Sequence, residues 1–132
     1  MTATAADWRE RHAEKLGSAS DAVSAIESGQ HVYAGGWTSV PVLLCEALHG
    51  RLPELERITI STFLTPFNWD RPEILERWTV RSFYAGPFER AAVRAGRFEY
   101  IPVAQWRDGK LPPGFDEPDV ALVPISAPDD EG

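Results

Sequence analysis

The sequence predicts an α/β domain, a parallel sheet in a three-layer arrangement with helices on both faces. Three observations carry this. Short runs rich in β-branched residues alternate with amphipathic stretches, glycine or proline stands at most of the joins, and helical crossovers of this length place successive strands parallel through right-handed connections. The 132 residues suffice for one hydrophobic core, so residues 1–132 are expected to form a single domain.

Along the chain, Trp8, His12 and Leu16 recur at four-residue spacing and predict a helix from Asp7 to Leu16. Ser18 followed by Asp21 resembles a capping box and opens a second helix, with Ala22, Val23 and Ile26 facing inward and Gly29 ending it. His31 to Ala34 reads as a strand running into Gly35 and Gly36. Pro41 suits the first turn of a third helix, whose expected apolar stripe is Leu43, Leu44, Ala47 and Leu48 before Gly50 stops it. Ile58 to Leu64 is a β-branched run and reads as a buried strand. A loop with Pro66, Asn68 and Pro72 follows, then a short helix over Glu73 to Trp78 and a strand over Thr79 to Tyr84. Gly86-Pro87 opens a helix patterned by Phe88, Ala91, Ala92 and Ala95, and Gly96 stops it. Phe98 to Ile101 and Val120 to Ile125 are the last strands, separated by a helical segment carrying Trp106 and the proline-rich stretch Leu111 to Pro118.

Composition narrows the function. With 43% hydrophobic and 25% charged residues the chain is ordinary for a globular protein, and no apolar run approaches the roughly 20 residues that span a bilayer. Met1 to Gly17 lacks the apolar core of a signal peptide, so the cytoplasm is the expected location. A net charge of −7 argues against nucleic acid and against an anionic membrane as partners, since both require a basic patch. Cys45, the single cysteine, lies in an apolar helical stretch and is expected to be a buried, inert thiol. The histidines His12, His31 and His49 are scattered, without ligands at metal spacing, and the acidic Asp129, Asp130 and Glu131 read as a solvated tail. No metal is expected. No Gly-x-Ser-x-Gly elbow, phosphate loop or three-glycine dinucleotide fingerprint is present.

Ligands of open parallel sheets bind beyond the carboxyl ends of the strands, which here are the loops after Ala34, Leu64, Tyr84, Ile101 and Ile125. The first of these carries Gly35-Gly36-Trp37-Thr38. Glycine lets backbone approach a ligand, and free N–H groups at a following helix start favour negative charge. The same pair also serves as a plain strand-to-helix turn. Gly35, Gly36, Trp37 and Thr38 are the candidate substrate-binding residues, with the loop aromatic Trp69 a further pocket candidate, while Trp8, Trp78 and Trp106 read as packing residues.

The order of these segments resembles the N-terminal half of the acetyl-CoA hydrolase and CoA-transferase family, of the 4-hydroxybutyrate or acetate CoA-transferase type. The resemblance rests on Trp8, Ser18 to Val23, Gly35-Gly36, Pro41 with Glu46-Ala47-Leu48, and Ser82 to Pro87 with Arg90 to Val93 and Gly96-Arg97. It continues through Tyr100-Ile101-Pro102, Asp119 to Leu122, and Ser126 to Asp129 with Gly132, so it runs nearly the whole chain. Trp37-Thr38-Ser39 and Ala127 depart from the family pattern and leave the subfamily open. The resemblance implies a fold of the CoA-transferase N-terminal type and a double displacement, in which a glutamate attacks an acyl-CoA and CoA passes through a glutamyl thioester to an acceptor acid, or to water. It also implies that the nucleophile and most CoA contacts lie in a C-terminal half. Glu46, Glu73, Glu89 and Glu99 match no catalytic motif and read as helix-surface or strand-edge residues. The expected partners are therefore a C-terminal catalytic half or companion subunit, a short-chain acyl-CoA and a carboxylic acid. No tightly bound cofactor is expected, the CoA thioester being a substrate, and the complete enzyme is expected to be a homo-oligomer. The competing expectations are a stand-alone α/β binding or interaction module, and a generic nucleotide-binding domain that lacks the fingerprint.

Overall fold

The computed structural model describes residues 7–102 and 117–127. Five strands form one parallel sheet: β1 (His31–Gly36), β2 (Thr59–Phe63), β3 (Thr79–Ser82), β4 (Glu99–Tyr100) and β5 (Val120–Ala121), in the order β4-β3-β2-β1-β5. Five α-helices accompany them: α1 (Asp7–Arg11), α2 (Ala19–Val23), α3 (Val42–Gly50), α4 (Pro72–Leu75) and α5 (Glu89–Arg94). The α/β parallel fold is as the sequence predicts. The chain steps outward from β1 to β4 and then returns to the other side of β1, so the strand order reverses there. Consecutive residues of β2, Ile60, Ser61 and Thr62, are all fully buried. Side chains alternate across a strand, so both faces of the sheet centre are covered.

The core joins Val23 and Ile26 of the α2 segment, Cys45 and Leu48 of α3, Ile60 of β2, Val80 of β3 and Trp78. Trp78 donates Nε1–H to the Leu55 carbonyl at 3.1 Å, which satisfies its polar edge. The capping box is present: Asp21 N–H donates to Ser18 Oγ and Ser18 N–H to Asp21 Oδ2. At the other end of α2, Arg51 donates to the carbonyls of Val23, Ser24 and Ile26, closing acceptors that a five-residue helix leaves open.

Several expectations about helix faces are corrected. The first helix breaks after Arg11 into a short 3-10 turn at Ala13–Lys15, and His12 and Leu16 are exposed. Ala22 is exposed, and α2 ends at Val23 rather than at Gly29, which takes its left-handed φ of 86° in the turn before β1. In α3, Leu43 is 74% exposed and Cys45 takes the inward position. The thiol is buried as expected, and that burial, reinforced by Glu46, pushes its pKa up to about 12. In α5 the buried residues are Glu89 and Ala92, while Phe88, Ala91 and Ala95 face out. Glu89 is thus no surface residue. Strands β4 and β5 are shorter than predicted, and Ile125 is 87% exposed. The Trp106 segment and the tail Asp129 to Glu131 lie outside the described residues, as does most of Leu111 to Pro118. Among the described residues no helix is long and apolar enough to cross a membrane, and no group of three His, Cys, Asp or Glu side chains comes together as for a metal.

Candidate functional site

The strand β1 ends in an irregular stretch. Tyr33 pairs with Ser61 but Gly36 pairs with Phe63, so β1 carries one extra residue over the same span of β2. Gly35 absorbs it with φ of 65°. A Cβ on Gly35 would run into the Ser39 carbonyl oxygen, and one on Gly36 into the Phe63 ring. Gly36 itself is extended, at φ −157°. Thr62 Oγ1 donates to the Gly35 carbonyl at 2.9 Å and Ser39 Oγ to the Gly36 carbonyl at 2.7 Å, so both peptide groups are tied down. The glycines are therefore demanded by the bulge and by the packing of Phe63. A 3-10 turn at Trp37–Ser39 follows, and α3 begins at Val42, with Pro41 at its start as expected.

Beyond the carboxyl ends of β1, β2 and β3 lies a cavity of about 310 Å3. Trp37 and Thr38 line it from the loop after β1, Leu64 and Pro66 from the loop after β2, and Pro87, Phe88 and Glu89 from the start of α5. Two of the four predicted site residues, Trp37 and Thr38, stand in this wall. Gly35 and Gly36 are not among the lining residues. Trp37 is 64% and Phe88 70% exposed, so the two aromatics form an open rim. Both Trp37 (φ 53°) and Leu64 (φ 46°) adopt the left-handed conformation, which costs a non-glycine residue about 1–3 kcal/mol. Two such residues facing one cavity mark it as a place where local strain is retained.

Glu89 is the ionisable element of this wall and is only 1% exposed. Its Oε1 accepts the Thr65 backbone N–H at 2.7 Å, while Oε2 is buried without a hydrogen-bond partner among the described residues. A Cβ on Gly86 would lie 2.8 Å from that Oε2 and 2.9 Å from Leu64 Cδ2, so glycine is what lets the carboxyl fit. None of the lining residues is basic. The cavity suits a short apolar group, and the phosphates of a nucleotide would find no cation in it. Sequence reasoning picked out the loops after Leu64 and Tyr84 but not Leu64, Pro66, Phe88 or Glu89 within them. The Gly86-Pro87 pair was the available signal.

The expected role of Trp69 is overturned. It is 1% exposed and packs on Phe67 with ring centroids 4.4 Å apart, inside the core. A second, larger cleft of about 640 Å3 lies between α4 and the Gly96-Arg97 turn. Two of its charged groups pair with each other: Arg97 grips Asp70 through two bonds of 2.7 and 2.6 Å, and the guanidinium holds the Asp70 carboxyl below the usual carboxylate range.

No protein-family model matches the chain. It is 29% identical to the butyryl-CoA:acetate CoA-transferase of Anaerostipes caccae in an alignment covering 95% of this chain and 29% of that protein. Among solved structures, RipA from Yersinia pestis superposes with a TM-score of 0.64 at 28% identity, over 74% of this chain and 26% of that one. A RipA mutant gives 0.65 at 29% identity, again over 74% of this chain. The chain thus spans less than a third of the length of these relatives. The likenesses in sequence and fold bear out the resemblance to a CoA-transferase N-terminal domain.

Proposed function

We propose that this chain acts as the N-terminal domain of an enzyme that moves CoA between a short-chain acyl-CoA and a carboxylic acid, and that its own contribution is a wall of the acyl pocket. One observation carries the reading: the apolar cavity beyond β1, β2 and β3, open at the Trp37 and Phe88 rim. Ligands of open parallel sheets bind at this edge, and the lining suits an acyl chain rather than a polyanion. Trp37 and Thr38 line the pocket, and Gly35 and Gly36 permit the close turn that presents them.

In this reading a glutamate outside the chain is the nucleophile. The chain's own residues exclude water from one side of the thioester and orient the acyl tail. Glu46, Glu73 and Glu99 are exposed and do not line the cavity, and Glu89, which does, is 1% exposed with Oε1 held by the Thr65 N–H, so the reading assigns none of them as the nucleophile. A C-terminal half or companion subunit supplies that glutamate, holds the CoA phosphates and covers the rim, in a homo-oligomer of the cytoplasm. The exposed Leu43, Trp37 and Phe88 are the apolar surface it would meet.

The alternative, a stand-alone binding module, shares the fold but needs no second part. An exchange assay with acetyl-CoA and butyrate separates the two. The chain alone gives no butyryl-CoA, and addition of the portion of the Anaerostipes enzyme outside the aligned region restores exchange. Binding of that portion without any exchange would favour a non-catalytic module.

A further inference from the structure

The buried Glu89 carboxyl is not explained by helix formation, since it lies in the first turn of a six-residue helix and costs desolvation there. Its one bond runs across the structure, from the start of α5 to the backbone of Thr65. Thr65 follows Leu64, whose φ of 46° turns the chain out of β2, and Leu64 N–H donates to the Tyr84 carbonyl at 3.2 Å. Thr65 Oγ1 in turn accepts the Phe67 N–H at 3.1 Å. Glu89 therefore fastens the segment that carries Leu64 and Pro66 to the segment that carries Pro87 and Phe88, which are two walls of the same cavity. Gly86 leaves the space in which the carboxyl sits.

We propose that Glu89 is the positioning residue of this pocket: its carboxyl latches the Leu64–Pro66 turn to the start of α5, keeps Leu64 in its left-handed conformation and so sets the separation of the two walls. This deepens the acyl-pocket reading, on which its consequence for ligands rests, but the latch itself is a statement about the chain alone. Glu89→Ala removes the acceptor, and the turn opens locally. Glu89→Gln restores it, because the amide oxygen can accept from Thr65 N–H in the same place.

Backbone amide exchange by NMR tests the latch on the full chain. In Glu89→Ala the Thr65, Leu64 and Phe67 amides lose protection at least tenfold. The Thr59 and Thr79 amides, which donate to Gln30 and Ile58 carbonyls at the far end of the strands, change less than twofold. Glu89→Gln returns Thr65 to within about threefold of wild type. Butyrate, used as the probe, shifts the Trp37 indole resonance in wild type and Glu89→Gln and fails to do so in Glu89→Ala. Unchanged protection at Thr65 in Glu89→Ala would overturn the latch. Equal loss at Thr65, Thr59 and Thr79 would overturn it too, by showing a merely global role. A wild-type chain that ignores butyrate while Thr65 shows the predicted contrast would support the latch and sink the acyl-pocket reading instead.

Discussion

Replacing Gly35 with alanine tests how the sheet edge is built under the site. Alanine at φ of 65° carries the left-handed penalty of about 1–2 kcal/mol. Its Cβ also meets the Ser39 carbonyl oxygen, a backbone atom that cannot swing aside. Relief requires the 3-10 turn to move, which loosens the Ser39–Gly36 and Thr62–Gly35 hydrogen bonds, each worth about 1 kcal/mol. The total is a loss of about 2–4 kcal/mol. With a urea slope of about 1.5 kcal/mol per M for a small domain, the unfolding midpoint falls by roughly 1.3–2.7 M. Gly50→Ala is the control: it ends α3 with nothing within 4 Å of a new Cβ, and should gain about 0.4–1 kcal/mol through the unfolded state. Urea titration followed by tryptophan fluorescence reads both. A Gly35→Ala midpoint within about 0.3 M of wild type would refute the bulge geometry and with it the support proposed for Trp37 and Thr38.

Arg51→Ala should cost about 1–3 kcal/mol in the same titration, because three carbonyls around the end of α2 lose a charged donor. Trp69→Ser should cost about 3–5 kcal/mol by emptying a core site, whereas Trp37→Ser should leave the melting temperature nearly unchanged and weaken docking of any covering partner. Asp70 has its folded pKa depressed by its hydrogen bonds to Arg97, so its contribution is present above the unfolded value of 3.8 and is lost as pH falls through the folded one. Asp70→Asn should therefore lower thermal stability at neutral pH, and the difference from wild type should shrink as the pH is taken progressively below 3.8. Cys45, with its thiol pushed up to about 12, should resist a disulfide reagent in the native chain at mildly alkaline pH and react fully in urea.

What the sequence disclosed follows from how local each feature is. The Ser18–Asp21 box was legible because both partners lie three residues apart, and the strands at Thr59–Phe63 and Thr79–Ser82 because β-branched residues mark them. The rotation of α5 was not. Alanines at positions 91, 92 and 95 do not discriminate faces; of these Ala92 alone turns inward, beside a glutamate, Glu89, whose partner is a backbone N–H 24 positions earlier. Trp69 was misplaced for a similar reason. It lies in a loop, yet that loop folds back through the Thr65 and Asn68 turns and buries it on Phe67. Gly35-Gly36 announced a tight turn, but which of them is left-handed depends on the β1–β2 register, a tertiary fact. For the cavity, the strand-end rule found the loops; the residues within them emerged only when three loops were placed side by side.

The acyl-pocket reading is tested most directly by mapping butyrate on the isotopically labelled chain through amide and indole chemical shifts. The account predicts saturable shifts at Trp37, Thr38, Leu64, Phe88 and Glu89, with CoA lacking an acyl group producing none there, since no basic residue lines the cavity. Shifts gathered instead around Asp70 and Arg97, or none at saturating butyrate, would contradict it.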